Sequence, residues 1–274
     1  MPRREGEARE EAVGGNDIRM IRPDGIGLHR RRVLASAAGL VMAGAGGWSL
    51  AQPVPDGLAQ EAEALLRRMS ESLSRAATLA VDCTSLREVR LADGRVATLI
   101  SDLTLALHRP NRLRADLRGD AVLADVYYDG RQVAVHAVAQ GAFARMDAPP
   151  TIDGLTTLLQ ERLRLPLDIG LLLGTDPYAR LAEGASGAVV SPSEVSGRPV
   201  WHLLLRSGEV DWEIWLDQAP AALPLLAAVR RGGLRTVMRF DEWRLGPQIA
   251  DSLFRFTPPP GAREIPFVIQ GGQP

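Results

Sequence analysis

The chain is almost without cysteine: Cys83 is the only one in 274 residues. No intramolecular disulfide can form, and a zinc site made of several thiolates is excluded. A single Cys within an alternating segment reads as a small buried apolar side chain. Aromatic residues are scarce at 5%, and no basic run is interleaved with them. An excess of one charge is also missing, since 32 Lys and Arg face 33 Asp and Glu for a net charge of −1. No global field draws in a polyanion, so nucleic acid is not an expected partner. The familiar catalytic signatures are absent: no G-x-S-x-G, no H-E-x-x-H, no phosphate loop and no dinucleotide fingerprint. His108, His136 and His202 fall in separate segments. No catalytic residue, metal or cofactor is expected, and the chain is not expected to be an enzyme.

What is present begins with the leader "HRRRVLASAAGLVMAGAGGWSLAQP". Arg30 and Arg31, followed by Arg32, Val33 and Leu34, fit a twin-arginine export signal. The apolar stretch behind them is rich in Gly and Ala rather than Leu, which suits that route. Small residues at Ser49 and Ala51 fit cleavage before Gln52. Residues 1–51 are therefore expected to be an N-terminal extension with a signal peptide, and the mature chain is expected in the periplasm. Met20 offers an alternative start to Met1, leaving a short basic leader. The competing expectation is an inner-membrane anchor at residues 33–51, since about 20 apolar residues can span. Its glycines argue against a stable helix, each costing about 1 kcal/mol relative to Ala. No cysteine follows the stretch, so lipid attachment there is excluded.

Residues 52–57 form a Pro-rich linker, and the folded domain is expected over 58–270. Leu58 to Ala76 reads as an amphipathic helix, with Ala62, Leu65, Leu66, Met69 and Leu73 on one stripe. The period then drops to two. Leu79, Val81 and Cys83 alternate with Asp82 and Thr84, and Asp93-Gly94 supplies a hairpin turn. Leu99, Leu103, Leu105 and Leu107 share one face of the return strand, and Leu113, Ala115 and Leu117 share one face of the next. Asp82, Asp102 and Asp116 fall on the polar face, as solvated or Arg-paired charges. The pattern continues to Val138, giving an antiparallel meander with one dry and one wet face. Thr151 to Arg164 interrupts it with a helix whose expected N-cap is Asp153. A further apolar helix over Leu167 to Leu173 follows, then a short one capped by Asp176 and opened by Pro177. Strands resume from Ala188 and end with one holding Phe254 and Phe256. About ten or eleven strands are expected, in an α+β fold with a single interrupted sheet.

Four blocks in order carry a family resemblance: "HRPNRLRADLRGD", "VYYDGRQVAVH", "APPTIDGLTTLLQERLRLPLDIGLLLGTDPY" and "FRFTPPPGAREIPF". They resemble a group of bacterial predicted periplasmic proteins of unknown function, over nearly all of residues 58–270. That group looks like a branch of the superfamily of the lipoprotein-localisation carriers LolA and LolB. The resemblance implies an incomplete antiparallel β-barrel closed by helices, with a hydrophobic cavity for acyl chains and the mid-chain helices as a lid. The chain departs from the outer-membrane receptor of that superfamily in lacking a lipid-attachment cysteine, and no carrier residue transfers position by position.

The expected function is a periplasmic binding or carrier protein for a lipid, lipoprotein or other hydrophobic ligand, with membrane contact at most transient. Its expected cavity lining is Leu99, Leu103, Leu105, Leu113, Leu117, Leu171 and Leu172. Two alternatives stand beside it: an envelope interaction or regulatory module with a filled core, partnered by another envelope protein, and an unrecognised periplasmic hydrolase. The carrier needs a void under the helices, the module a solid interior, and the hydrolase a His converging with a carboxylate or Ser.

Overall fold

A computed structural model describes residues 57–120, 123–163 and 168–267. The signal residues Arg30, Arg31 and Ala51 lie outside the described residues, as does the 33–51 stretch. Among the described residues no helix is long and apolar enough to cross a membrane.

The first element is helix α1 (Gln60–Arg75), and strands β1 (Thr78–Arg90) to β6 (Ala142–Asp147) follow as a meander. Between those two are β2 (Val96–His108), β3 (Arg112–Gly119), β4 (Leu123–Tyr128) and β5 (Gln132–Ala137). Three helices interrupt: α2 (Ile152–Leu163), α3 (Gly170–Leu173) and α4 (Pro177–Ala182). A second meander runs through β7 (Ala185–Val195), β8 (Arg198–Ser207), β9 (Val210–Asp217), β10 (Pro224–Arg231) and β11 (Leu234–Leu245), and the short β12 (Arg263–Glu264) comes last. All twelve join one sheet in the order β12-β6-β5-β4-β3-β2-β1-β11-β10-β9-β8-β7. β1 pairs antiparallel with both β2 and β11, which fuses the two meanders. The end strands β12 and β7 do not pair, so the barrel is incomplete.

Period-two alternation builds the sheet's two faces. Across six strands the register aligns Val81, Leu105, Ala115, Val126, Val135 and Ala144 in one inward row. A parallel row holds Leu79, Leu107, Leu113, Tyr128, Val133 and Met146. The α1 stripe lands on this inner face: Ala62, Leu66, Met69 and Leu73 are fully buried in the same core cluster as Leu79 and Leu107. Glu61 and Glu63 in the first turn of α1 and Arg75 in the last complement its dipole. Asp93-Gly94 makes the β1–β2 turn, with Gly94 at φ +85°. Gly130 (φ +89°) turns β4 into β5 where a Cβ would lie 2.5 Å from the Asn111 amide, so only Gly fits.

Four expectations need correcting. Among the described residues the sheet has twelve strands, against the expected count of about ten or eleven. Phe254 and Phe256 are not in a strand: Asp251–Phe254 is a 3-10 turn, and the last strand is Arg263–Glu264. Helix α3 covers only Gly170–Leu173. Asp153 lies inside α2; Thr151 does the capping, its hydroxyl accepting from Gly154 N at 3.1 Å. Asp153 instead reaches forward, accepting from Thr175 N at 3.1 Å. By contrast, Asp176 accepts from Ala179 N and Pro177 opens α4, as the sequence indicates.

The outer face is not uniformly wet. After β11 the chain crosses it as a strap, starting where the Thr78 hydroxyl donates to the Pro247 carbonyl. Phe256 sits 5.1 Å from Tyr127 and 5.0 Å from Phe143, both outward on their strands. β12 then pairs parallel with β6, and Arg145 grips Glu264 through two hydrogen bonds. Under the strap lies a polar cluster in which Arg114 contacts both Asp116 and Asp125, and His136 approaches Asp125 at 3.5 Å. Burial pushes the Asp125 carboxyl up, but the hydrogen bond from Arg118 and the charges of Arg114 and Arg118 outweigh it and leave it lowered. Asp82 also pairs with an arginine, Arg244, while Asp102 accepts from the Thr84 hydroxyl.

Candidate binding face

Burial on the inner face falls along β2 and β3 from one end of the strands to the other, whereas β8–β11 stay buried at the same levels, at Phe240, Met238, Val229, Trp212 and Leu205. At the base, Leu79 and Leu107 are 0% exposed and Leu105 is 3%. Moving up β2, Leu103, Ser101, Leu99 and Ala97 all point inward and all stay partly exposed. Their partners on β3 follow suit, with Leu103 facing Leu117 and Ser101 facing Gly119; on β1 the level of Leu103 is still covered at Cys83, and the partly exposed Arg87 faces Leu99. β3 ends opposite Ser101, and β11 begins its pairing opposite Arg87. Beyond that level β1 and β2 continue as a two-stranded ribbon. Its outer side exposes Val96 and Ile100 at 49% and 48%.

The seven leucines expected to line a cavity therefore separate into three sets. Leu105, Leu113 and Leu172 belong to the buried core cluster. Leu103, Leu117 and Leu171 pack against that cluster while remaining partly buried. Leu99 stands further out, half-buried near the mouth. All five on the sheet face inward by register with the core rows.

The covering helices are fastened by polar contacts. Arg109, at the β2–β3 turn, donates to the Leu173 carbonyl at 2.9 Å and to the Leu73 carbonyl at 3.2 Å. It thus closes the C-terminal ends of α3 and α1 with one guanidinium, satisfying carbonyls that a helix leaves open. Burial pushes the Arg109 pKa down, against the pull of Asp153. Tyr178 N donates to the Ser70 hydroxyl at 3.0 Å, and the Tyr178 hydroxyl donates to Glu63 at 2.9 Å, tying α4 to α1. At the mouth side, Arg231 at the end of β10 reaches Asp168 at 3.3 Å. Arg109 and Arg231 were not singled out by sequence pattern. The only signal for Arg109 is a basic residue closing an apolar alternating run just before Pro110.

The titratable side chains do not assemble a reactive centre among the described residues. His108, His136 and His202 lie on β2, β5 and β8, each beside one carboxylate: Asp251 at 4.0 Å, Asp125 at 3.5 Å and Glu213 at 3.3 Å. His202 stacks on Trp215 with ring centroids 4.2 Å apart. Burial lowers its pKa, with Glu213 pulling the other way. The Cys83 thiol is buried, and desolvation, helped by Asp241 and Asp102, pushes its pKa up to about 12. It is a packing residue, since the thiolate needed for reaction is suppressed. Among the described residues no group of three or more His, Cys, Asp or Glu is arranged to hold a metal. A separate pocket of about 200 Å³ lies by the β9–β10 turn, bounded by Leu223, Leu225, Phe240, Trp243 and the Arg198–Asp217 pair.

The family described as Predicted periplasmic protein (DUF2092) matches residues 62–268. No curated protein matches the sequence. Among solved structures, the chain is similar to an uncharacterized conserved protein from Thermus thermophilus, at 14% identity over 76% of this chain and 99% of that one, with a TM-score of 0.44. It is similar to LprF from Mycobacterium bovis at 12% identity, covering 74% and 98%, with a TM-score of 0.41. A LolA superfamily protein from Nitrosomonas europaea is similar at 10% identity, covering 71% and 97%, with a TM-score of 0.35.

Proposed function

This chain belongs to the DUF2092 family of predicted periplasmic proteins, and we propose that it is a non-catalytic binding or carrier protein for a lipid, lipoprotein or other hydrophobic ligand in that compartment. The single observation that carries the reading is the gradient of burial along β1–β3. The same inward face that is sealed at Leu105 and Leu107 stays half-open at Leu103, Leu117 and Leu99. Apolar side chains left half-covered beside a packed core form a ready seat for a ligand's apolar part. Each methylene buried there gains about 0.8 kcal/mol, so even a partly covered acyl chain would be held out of water.

Leu99, Leu103, Leu117 and Leu171 would make the direct contacts. Leu105, Leu113 and Leu172 would form the floor, reached only if the helices move. Release would then require loosening the polar fasteners at Arg109 and Arg231. The leader belongs to the same proposal: Arg30 and Arg31 would direct export, with cleavage after Ala51 delivering a soluble chain. The filled-core alternative draws on the three floor leucines, which are packed as the structure stands.

The test is native mass spectrometry of protein purified from its own periplasm, followed by delipidation and titration with a fluorescent fatty acid. Co-purified lipid, or saturable uptake that Leu103→Asn weakens, supports binding. A bare mass together with no uptake contradicts it.

A further inference from the structure

We propose that the ligand is an amphiphile with an anionic head, and that Arg87 receives that head at the mouth of the inner face. The inference rests on the binding reading above and extends it to a ligand class. Arg87 is the one charged side chain among its inward register neighbours. It faces Leu99 on β2 and Thr236 on β11, with Ser85 and Val89 on either side of it along β1. None of these carries a carboxylate. Glu88, next in sequence, points to the opposite face and accepts from Arg235 N at 2.8 Å. Arg87 is half-buried, and among the described residues its side chain makes no hydrogen bond or ion pair.

Four other arginines near this rim are engaged, and Arg230 points to the opposite face. Arg90 donates to the Gly94 carbonyl, Arg95 to Asp93, Arg231 to Asp168, and Arg235 to Glu213. Arg87 instead stands where the apolar row ends. Leu99 to Leu103 spans about 13 Å of strand, so a chain lying along those residues would bring its head to the guanidinium. A neutral ligand would strip water from Arg87 and leave the charge unpaired, which is costly. A carboxylate or phosphate would replace that water with two parallel charge-assisted hydrogen bonds. The residue thus selects by penalty as well as by attraction.

The experiment compares three ligands of equal chain length on delipidated protein: palmitate, hexadecyl phosphate and hexadecanol. Each competes with a fluorescent fatty acid, for the natural chain, Arg87→Gln and Arg87→Lys. The expected result is that both anions bind at least about tenfold more tightly than the alcohol. Arg87→Gln brings the anions to the alcohol's level, and Arg87→Lys retains most of the preference. The tighter of the two anions identifies the head as carboxylate or phosphate. Equal affinity for alcohol and anions in the natural chain overturns the anionic head while leaving the apolar seat intact; so does a preference that survives Arg87→Gln. Failure of all three to bind overturns the binding reading itself. The natural chain's own preference decides the matter even where a variant does not fold.

Discussion

The base and the mouth of the inner face are made of the same material and behave differently. Both are rows of leucine and small residues on the same three strands, facing the same way. At the base, α1 lays Leu66, Met69 and Leu73 against them and water is excluded. At the mouth the pairing strands end and the leucines keep part of their surface in solvent. Burial is therefore set by where the cover stops, not by residue type. A face that is packed at one end and half-open at the other can be stable and still have apolar surface to offer.

The largest expected effect is on stability. Leu107→Ala at the base should cost about 3 kcal/mol, a fully buried leucine lost to a cavity. Leu99→Ala at the mouth should cost less than about 1 kcal/mol, because its neighbours already meet water. Urea unfolding of the two variants measures the contrast, and equal losses would break it. Next comes Arg109→Ala, which leaves the Leu73 and Leu173 carbonyls without their donor. A loss of about 2 kcal/mol is expected, with faster amide exchange concentrated in α1 and α3. Exchange that rises evenly over the sheet would speak against the clamp.

A smaller effect separates a covered position of β1 from the open end of β2 by chemistry. Cys83 should resist a thiol reagent at pH 8 in the folded state, since burial pushes its pKa up to about 12. A Leu99→Cys variant should react at least about tenfold faster, its thiol being open to solvent. Similar rates would mean that the strand end at Leu99 is as closed as the covered β1 position opposite Leu103. The smallest effect is a pH dependence on the outer face of β8. Burial lowers the His202 pKa below its usual value. The unfolded chain then binds more protons, so stability should be intact above about pH 6.5 and decline as pH falls through the lowered value. His202→Gln should flatten that decline without altering ligand affinity at the mouth.

Much of the fold was legible in sequence. The α1 stripe, the alternation in β1–β3 and the Asp-Gly turns are local signals, and they place every sheet leucine of the expected lining on the inner face. The strap was not legible. Phe254 and Phe256 alternate as a strand would, and the partners of Phe256, Tyr127 and Phe143, lie more than a hundred positions away in the chain. The Arg109 clamp was hidden for the same reason, because its acceptors are backbone carbonyls that any sequence supplies. The split of the leucines into floor and contact residues was out of reach too. Leu99 and Leu107 look alike in a pattern, and only the position of the helices tells them apart.

The central claim is that an acyl chain lies along the mouth half of the inner face. Photo-crosslinking tests it most directly: a diazirine-bearing fatty acid is bound to the delipidated full chain, irradiated, and the labelled peptides are mapped by mass spectrometry. The account predicts labels on the β1–β3 segment around Leu99, Leu103 and Leu117, competed away by unlabelled palmitate. Labels confined to the outer face, or labelling that palmitate does not displace, would contradict it.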